Sequence, residues 1–567
     1  MIDWFGLLLH SLWIAGLALL LISASHAFYR SLTSPLSFGA ALARPQAAGL
    51  AWTGGLLFAF GQAFTSSGAL WQATLWAALA LLCGTQVVVS RRQQAGLEPG
   101  LLPALRAWLR SEGALVTGII ALGLLLASLY ALVILPWMQP DEPRHFEVAL
   151  HVARLGKPTV TSADRVGEWE QEMIGSMEDL SFWWYGFSLI GWDPANLPKS
   201  FAEIWGPAYS TSFFQPPLYY TVSGGLVSLW GDDIPITQAV LRLRLLGLGL
   251  LALSLWGVYR TIRELIPDRP RWAVSVLFLA ALWPSHLAAN AAVNNDLLAE
   301  TLVVWTVFFA IHLLRRGPSL AAVSWLLALT LFGVTTKRTA LTSTILGPSA
   351  FLLWALGEVW RRRLRHRGWI VSAVVLLTAA TLAFFAFIMA RAGRLGLPPT
   401  FWADLASGVY WRNLAAFPWS QQADALLRTF VGWFGWMRVP LFEPFYWLGG
   451  LLVLLALLGL VRQWLRARTL MAGWQKRAFV LMALAILAQF VFIIGKQVLY
   501  ADWAGDSISQ IRYLYPVAPA FFFLFLAGLS AWVPRGWRRH ALPAGVAMLL
   551  GFNLYILGFV LYPFFWL

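Results

Sequence analysis

Long apolar runs recur along almost the whole of this 567-residue chain. A helix needs about 20 apolar residues to cross roughly 30 Å of hydrocarbon. Runs of this kind begin near residues 5, 47, 69, 114, 238, 272, 296, 319, 338, 369, 442, 478, 510 and 541. We therefore predict an all-α polytopic membrane protein, built as a bundle of about 13–14 transmembrane helices.

The charged residues lie between these runs, which explains the formal net charge of +15. Alternate loops on one side of the membrane hold 25 of the 41 lysines and arginines but 5 of the 26 acidic residues. The positive-inside rule places that side in the cytoplasm. We expect both chain termini to face outward from a bacterial plasma (inner) membrane, with lipid headgroups and no nucleic acid as the partner of the basic charge.

The first large outward loop covers residues 137–235 and is the main polar segment of the chain. Its part from Trp137 to Phe214 carries 11 acidic and 5 basic residues. Residues 142–155 have helical spacing and end at Gly156, two residues before Pro158, which is a helix-stop pattern. Aromatic clusters further along predict short helices at the headgroup level. A second outward loop covers residues 391–440 and carries five arginines and two aspartates.

The acidic motif Asp141-Glu142-Pro143-Arg144-His145 begins five residues after the apolar run that ends at Pro136. Ionisable side chains are expensive to place in hydrocarbon, so their position at the mouth of a span favours a functional site. The alternative is a solvated helix cap, because acidic residues also favour helix N-termini.

The motif belongs to an ordered set that resembles the glycosyltransferase C superfamily. The set comprises PDEPRH at Pro140 to His145, PPLYY at Pro216 to Tyr220, LRLR at residues 241–244, NND at residues 294–296, TTKRT at residues 335–339 and RYLYP at Arg512 to Pro516. It is most similar to bacterial membrane proteins of uncharacterised function that carry a PDExxH motif, and the match covers roughly residues 114 to 535. Protein O-mannosyltransferases and aminoarabinose transferases belong to the same superfamily.

The resemblance implies an inverting glycosyltransferase, either a hexosyl- or a pentosyltransferase, that uses a polyprenyl-phosphate-linked sugar donor. The acceptor would be an envelope saccharide, lipid or protein at the outer face of the membrane. Residues 113–535 would form the catalytic transmembrane module, residues 1–112 additional N-terminal transmembrane helices and residues 536–567 a C-terminal transmembrane helix. The N-terminal helices depart from the usual pattern of the superfamily, and we expect them to act as a scaffold.

The chemistry of such a transfer assigns a role to each part of the acidic motif. Glycosyl transfer needs a base for the acceptor hydroxyl and cations for the leaving phosphate. Asp141 is our candidate for the catalytic base, and the resemblance implies the same residue. Glu142 is a second catalytic candidate that would orient the acceptor. Glu142 and His145 are also candidates for holding a divalent ion such as Mg or Mn, although the commoner alternative is a polar surface helix.

Candidate donor-binding residues are cations near the predicted outer ends of spans, where a lipid phosphate would lie. These residues are Lys337, Arg338, Arg242 and Arg512, together with His145. Candidates for the acceptor side or the cavity are Gln215, Tyr219, Asn295 and Asp296. The alternatives are that the cations are interfacial anchors and that the Asn/Asp pair caps a helix.

Two other classes of function remain open from the sequence. A transporter or flippase of lipid-linked saccharide also needs cations near the interface, but it favours paired ionisable groups at broken helices and inverted repeats. A non-catalytic membrane subunit of an envelope-assembly complex is the third class, and in such a subunit Asp141 should be dispensable.

Overall fold

The computed structural model describes most of the chain. The described residues are 4–33, 37–42, 44–65, 112–156, 167–182, 200–201, 203, 216–230, 234–360, 401–467, 471–500 and 509–567. The predicted spans near residues 69 and 369, and the candidate Gln215, lie outside these residues.

The described part is predominantly helical, which confirms the predicted all-α class. In chain order the helices are α1 (Trp4–Thr33), α2 (Phe38–Leu42), α3 (Pro45–Thr65), α4 (Glu112–Val133), α5 (Glu142–Leu155), α6 (Gly167–Asp179), α7 (Leu218–Ser228), α8 (Ile236–Leu265), α9 (Pro270–Leu282), α10 (Pro284–Asn290), α11 (Asp296–Arg316), α12 (Leu320–Val334), α13 (Thr342–Trp360), α14 (Phe401–Ala406), α15 (Val409–Ala416), α16 (Trp419–Val431), α17 (Glu443–Ala467), α18 (Gly473–Tyr500), α19 (Ala518–Ser530), α20 (Arg538–Tyr555) and α21 (Tyr562–Trp566). Short 3₁₀ helices cover Arg338–Leu341, Ile511–Val517 and Arg535–Trp537, and a π-helical turn covers Ile556–Leu561. Strands β1 (Trp433–Phe434) and β2 (Val439–Pro440) form an antiparallel pair.

Nine helical segments among the described residues are long and apolar enough to cross a membrane, or ten if one bent pair counts as a single span. They are Leu12–Ser31, Glu112–Val133, Ile236–Leu265, Asp296–Arg316, Arg338–Glu358, Glu443–Leu465, Gly473–Gly495, Ile511–Ser530 and His540–Trp566, with Pro270–Leu282 and Pro284–Asn290 as the bent pair. The protein is therefore a multi-pass membrane protein in contact with membrane lipids.

One predicted span is shorter in the structure than the sequence pattern indicated. The run predicted near residue 319 is α12, whose 15 residues extend about 22 Å at 1.5 Å per residue, which is less than the hydrocarbon thickness. The prediction of a full span at residue 319 is thus wrong, because hydropathy alone does not register where a turn ends the helix.

In the polar segment between α4 and α8 the structure describes the three short helices α5, α6 and α7. Helix α5 covers Glu142–Leu155 and is followed by Gly156 in the left-handed conformation at φ 67°, which confirms the predicted stop. Helix α7 approaches α5 closely at Gly224, where a Cβ atom would lie 2.6 Å from the Ala149 carbonyl oxygen. This contact fixes the second half of the polar segment against its first half.

Helices α9 and α10 form one broken element, bent by 62°. The break falls at Trp283, whose backbone is extended at ψ 116° and which precedes Pro284. The backbone of a residue that precedes proline disfavours the helical conformation, whereas proline itself is tolerated in the first turn of a new helix. The chain therefore turns inside the helical core and leads directly to the 291–295 segment and α11.

Candidate functional site

Asp141 lies in the turn between α4 and α5 and adopts the left-handed conformation, at φ 65°. It occupies the N-cap position of α5, but its side chain makes no capping hydrogen bond. The helix begins instead with the His145 amide donating to the Asp141 carbonyl oxygen at 3.0 Å. The carboxylate is thus available to other groups, and the capping alternative does not describe its contacts.

The carboxylate of Asp141 forms an ion pair with Arg512, from the 3₁₀ helix Ile511–Val517. The Arg512 guanidinium also donates to the Pro140 carbonyl oxygen at 3.2 Å and so holds the turn from two points. The Arg512 side chain is 8% exposed and the Asp141 side chain 45%. Burial by itself would raise the pKa of Asp141, but the charges of Arg512 and other neighbouring groups hold that pKa well below its usual range.

A second ion pair adjoins the first. Lys337 Nζ lies 2.7 Å from Asp296 Oδ1, and Arg512 Nε lies 3.9 Å from Asp296 Oδ2. Both cations also lie over one ring, that of Tyr513, at 5.7 Å for Lys337 Nζ and 5.2 Å for Arg512 Cζ. The two carboxylates and two cations thus form one cluster, called here the charge cluster (Asp141, Asp296, Lys337 and Arg512).

His145 and Tyr220 border the charge cluster. His145 Nδ1 lies 2.7 Å from Tyr220 Oη, and the two rings stack at 5.9 Å with an interplanar angle of 16°. Burial, followed by the neighbouring Lys337 charge, lowers the pKa of His145 to about 3. The imidazole is therefore neutral at physiological pH, and it is not a third cation for a phosphate.

Asn295 and Tyr219 connect the aromatic motif to the turn that carries Lys337. The Asn295 side-chain amide lies 3.3 Å from both Tyr220 Oη and the Thr336 carbonyl oxygen. Tyr219 packs edge-on against Tyr220 with centroids 5.4 Å apart, and burial raises the pKa of its hydroxyl. The four sequence motifs around these residues thus meet in space, although more than 100 residues separate His145 from Asn295 along the chain.

Glu142, by contrast, points away from the charge cluster into a fully buried ion pair with Arg244 of α8. Its carboxylate receives Arg244 Nε at 2.7 Å and Nη2 at 2.5 Å, the Trp137 amide at 3.0 Å and the Val293 amide at 2.9 Å. Four donors fill the usual acceptor sites of a carboxylate. No acceptor position remains for a substrate hydroxyl or a metal ion, so the contacts of Glu142 fit a positioning role.

Arg244 is the functional residue that the sequence reasoning missed. Its guanidinium also donates to the carbonyl oxygens of Ala131 at 2.7 Å, Ile134 at 2.5 Å and Leu135 at 2.9 Å, which terminate α4. A helical signal was present in the sequence, because Arg244 lies four residues from the apolar Val240 and Leu248 and so shares their buried face.

The two other predicted cations are Arg242 and Arg338. Arg242 of α8 lies over the Trp230 ring, with Cζ 5.7 Å from the centroid. Arg338 follows Lys337 as the first residue of a 3₁₀ helix and is half-buried. Arg242 lies two residues before Arg244 on α8, and positions two apart on a helix face different directions.

Among the described residues, no group of three histidine, cysteine, aspartate or glutamate side chains is arranged to hold a metal ion. Glu142 is saturated by donors, and His145 is engaged by Tyr220. The two residues predicted as possible ligands of Mg or Mn thus do not fit a shared metal centre.

A separate buried network lies at the break between α9 and α10. His286 Nε2 lies 3.0 Å from Glu300 Oε1, and the Ser254 hydroxyl and the Asn290 amide donate to the same carboxylate at 2.5 and 3.2 Å. His286 and Glu300 are 0% and 1% exposed. The sequence analysis did not single out Glu300, which lies one helical turn from Asp296.

Comparison with protein-family models finds no match, and comparison with curated proteins finds no match either.

Proposed function

We propose that this protein is an inverting glycosyltransferase that moves a hexose or pentose from a polyprenyl-phosphate-linked donor to an envelope glycan, lipid or protein. The observation that carries the proposal is the charge cluster. Asp141, a partly exposed carboxylate next to the end of an apolar helix, meets Arg512 and Lys337, which suit a lipid phosphate. A base and phosphate-binding cations in one place are the two requirements of the reaction.

In the proposed reaction the acceptor oxygen attacks the anomeric carbon of the donor sugar. A bond forms between that oxygen and the anomeric carbon while the bond from the anomeric carbon to the phosphate oxygen breaks. The electron pair of the broken bond leaves with the prenyl phosphate, and the hydroxyl proton passes to the Asp141 carboxylate. A single in-line displacement of this kind inverts the anomeric centre.

The other residues of the site have supporting roles in the proposal. Arg512 and Lys337 lie over the same Tyr513 ring and are therefore close together. Their positive charges stabilise the negative charge that develops on the leaving phosphate. His145 and Asn295 border the acceptor side through Tyr220. Glu142 and Arg244 hold the turn that carries Asp141.

The proposal places the charge cluster at the outer face of the plasma membrane. It is supported by the excess of arginine and lysine in the alternate loops assigned to the cytoplasm. A lipid-linked donor would approach Asp141 from the outer leaflet, with its prenyl chain in the hydrocarbon.

The decisive experiment is Asp141→Asn in purified protein in proteoliposomes, supplied with polyprenyl-phosphate-linked hexoses and pentoses and a native membrane extract as acceptor. Removing a general base should lower release of prenyl phosphate by about 100-fold or more. The matched control is Asp424→Asn, since Asp424 is 56% exposed and is likewise paired with an arginine, at 2.7 Å from Arg428. Equal release by wild type and Asp141→Asn would refute the proposed role of Asp141.

One observation favours transport of a lipid-linked saccharide as a second candidate. The His286–Glu300 pair lies at a 62° break in a membrane-embedded element, and ionisable pairs at broken helices are typical of transporters. The same proteoliposomes separate the candidates. Transbilayer movement of the donor that requires Glu300 but not Asp141, without sugar transfer, would support a transporter.

A further inference from the structure

The charge cluster contains its own counter-ions, although the proposed function requires its cations to bind a phosphate. Arg512 is paired with Asp141, and Lys337 is paired with Asp296 at 2.7 Å. Two negative and two positive groups balance, so the cluster has no net charge in this state. A base that is paired with a guanidinium is also a poor proton acceptor, because the neighbouring positive charge favours the ionised form.

The Asp141–Arg512 pair is asymmetric in a way that allows exchange. Arg512 is held in a buried position by the Pro140 carbonyl, whereas Asp141 is 45% exposed and makes no capping bond. Among the residues that the structure describes, Arg512 Nε has no hydrogen-bond acceptor, and it lies 3.9 Å from Asp296 Oδ2. Arg512 also lines a cavity of about 50 Å³.

We propose that the donor phosphate activates the catalytic base by replacing Asp141 on Arg512. This inference rests on the proposed function and adds to it a regulation of the same site. A guanidinium can take a phosphate in a bidentate manner, with a donor such as Nε that a single carboxylate oxygen does not use. Once the phosphate holds Arg512, Asp141 loses its partner and becomes a competent proton acceptor.

The charged and titratable groups around Asp141 come from several elements. Arg512 comes from the 3₁₀ helix Ile511–Val517, Lys337 from the turn after α12, Asp296 from α11, His145 from α5 and Tyr220 from α7. After the sugar has moved, the prenyl phosphate leaves and Arg512 returns to Asp141. The returning positive charge expels the proton of Asp141 to solvent, and the cycle closes with one proton released for each glycosidic bond formed.

The experiment measures the titration of Asp141 with and without a short prenyl phosphate, farnesyl phosphate, on the full-length protein in nanodiscs. Infrared difference spectra, with Asp141→Asn to identify the carboxyl band, report the protonation of this residue. Removal of an opposite charge at contact distance shifts a carboxyl titration by about 1–3 pH units. We expect farnesyl phosphate to raise the midpoint of Asp141 by at least about one unit and farnesol to leave it unchanged.

Binding of farnesyl phosphate is measured separately, by calorimetry with farnesol as the reference ligand. Preferential binding of the phosphate with an unchanged Asp141 midpoint would overturn the exchange and leave the glycosyltransferase proposal intact. Equal affinity for farnesol and farnesyl phosphate would instead overturn the phosphate-binding role of the site, and the exchange with it.

Two variants of Arg512 test the same point independently. In Arg512→Gln the Asp141 midpoint should already be raised and should no longer respond to farnesyl phosphate. Arg512→Lys keeps the positive charge beside Asp141 and should keep the resting midpoint low, which controls for a folding defect in the first variant. Arg428→Gln is the matched control, because Arg428 forms a surface pair with Asp424. A normal Asp141 response in Arg512→Gln would contradict the proposal.

Discussion

Arg244 is the residue on which the geometry around Asp141 depends. Its five hydrogen bonds join the end of α4, the carboxylate of Glu142 and, through Glu142, the amide of Val293. Val293 lies three residues before Asp296, so one buried ion pair positions both acidic members of the charge cluster. A charge that is buried at this depth is tolerated because every donor has an acceptor.

Removal of one partner of this pair should destabilise the protein. Arg244→Met leaves the Glu142 carboxylate buried without its cation, and breaking a buried ion pair costs about 3–5 kcal/mol. Thermal unfolding in detergent micelles measures the change. Glu142→Gln combined with Arg244→Met should recover part of the loss, because the remaining group is neutral.

The control for this prediction is Arg242→Met, on the same helix. Arg242 contacts the Trp230 ring, and a cation–π contact of this kind is worth about 0.5–1 kcal/mol at an accessible site. Equal unfolding temperatures for Arg244→Met and Arg242→Met would contradict the positioning role of Arg244.

His145 should make the stability of the protein depend on pH. Its pKa is lowered to about 3 in the folded state, from an ordinary value of 6.5, mainly by burial. Below pH 6.5 the unfolded chain therefore binds a proton that the folded protein refuses, and stability falls as the pH is lowered toward 3. The loss approaches about 1.4 kcal/mol per pH unit for one proton.

The measurement is the unfolding temperature of wild type and His145→Gln between pH 7 and pH 5. Burial also raises the pKa of Glu147, and that group contributes with the opposite sign, so the difference between the two proteins isolates His145. A pH dependence that is the same in both proteins would show that His145 does not titrate in this way.

The broken element α9–α10 is held together by side chains that satisfy backbone groups at the break. His286 Nδ1 lies 2.8 Å from the Ala280 carbonyl oxygen, and the Asn553 amide donates to the Leu282 carbonyl oxygen at 2.9 Å. A carbonyl oxygen only accepts, so Nδ1 carries a hydrogen. His286 Nε2 lies 3.0 Å from Glu300 Oε1, so one imidazole links the break to α11.

Glu300 should be replaceable by a residue that keeps hydrogen bonds and not by an apolar one. Glu300→Gln keeps one carbonyl oxygen that can accept from Ser254 and replaces the oxygen that accepts from Asn290, so its unfolding free energy should fall by about 1 kcal/mol. Glu300→Leu leaves several buried polar partners unsatisfied, at about 1–3 kcal/mol each. Unfolding of both variants in detergent measures whether Glu300→Leu is less stable than Glu300→Gln. A Glu300→Leu protein as stable as wild type would refute the stabilising role of Glu300.

At the scale of the whole molecule, the periodic and compositional signals predicted the fold well. The apolar runs predicted the helical membrane class, and Gly156 before Pro158 predicted the end of α5. The ordered motifs also gave the charge cluster, because Asp141, Asp296, Lys337 and Arg512 were all chosen as candidates. Such residues are detectable because charge near the end of an apolar run is unusual.

What the sequence did not reveal is which partner each charge takes. Glu142 and Arg244 are 102 residues apart, and no local pattern links them. Glu300 was missed because it lies within an apolar helix, where hydropathy averages over a single acid. Arg242 was preferred to Arg244 because the two are equally basic and differ only in the helix face on which they lie.

The orientation of the chain is testable with single cysteines, since Cys83 is the only cysteine in the sequence. In a Cys83→Ser background, Glu172→Cys should react with a membrane-impermeant maleimide in intact cells, whereas Arg316→Cys should react only after permeabilisation. Both native side chains are accessible, at 47% and 49% exposure. The reverse labelling would place the charge cluster in the cytoplasm and remove the proposed function.

The internal balance of the charge cluster has a consequence for what can reach it. A patch with no net charge exerts little long-range attraction, so dissolved anions such as inorganic phosphate are not concentrated there. An amphiphile that is already confined to the lipid surface meets the patch at a high effective concentration without such steering. Electroneutrality at rest thus selects for ligands delivered by the bilayer over those delivered by the surrounding water.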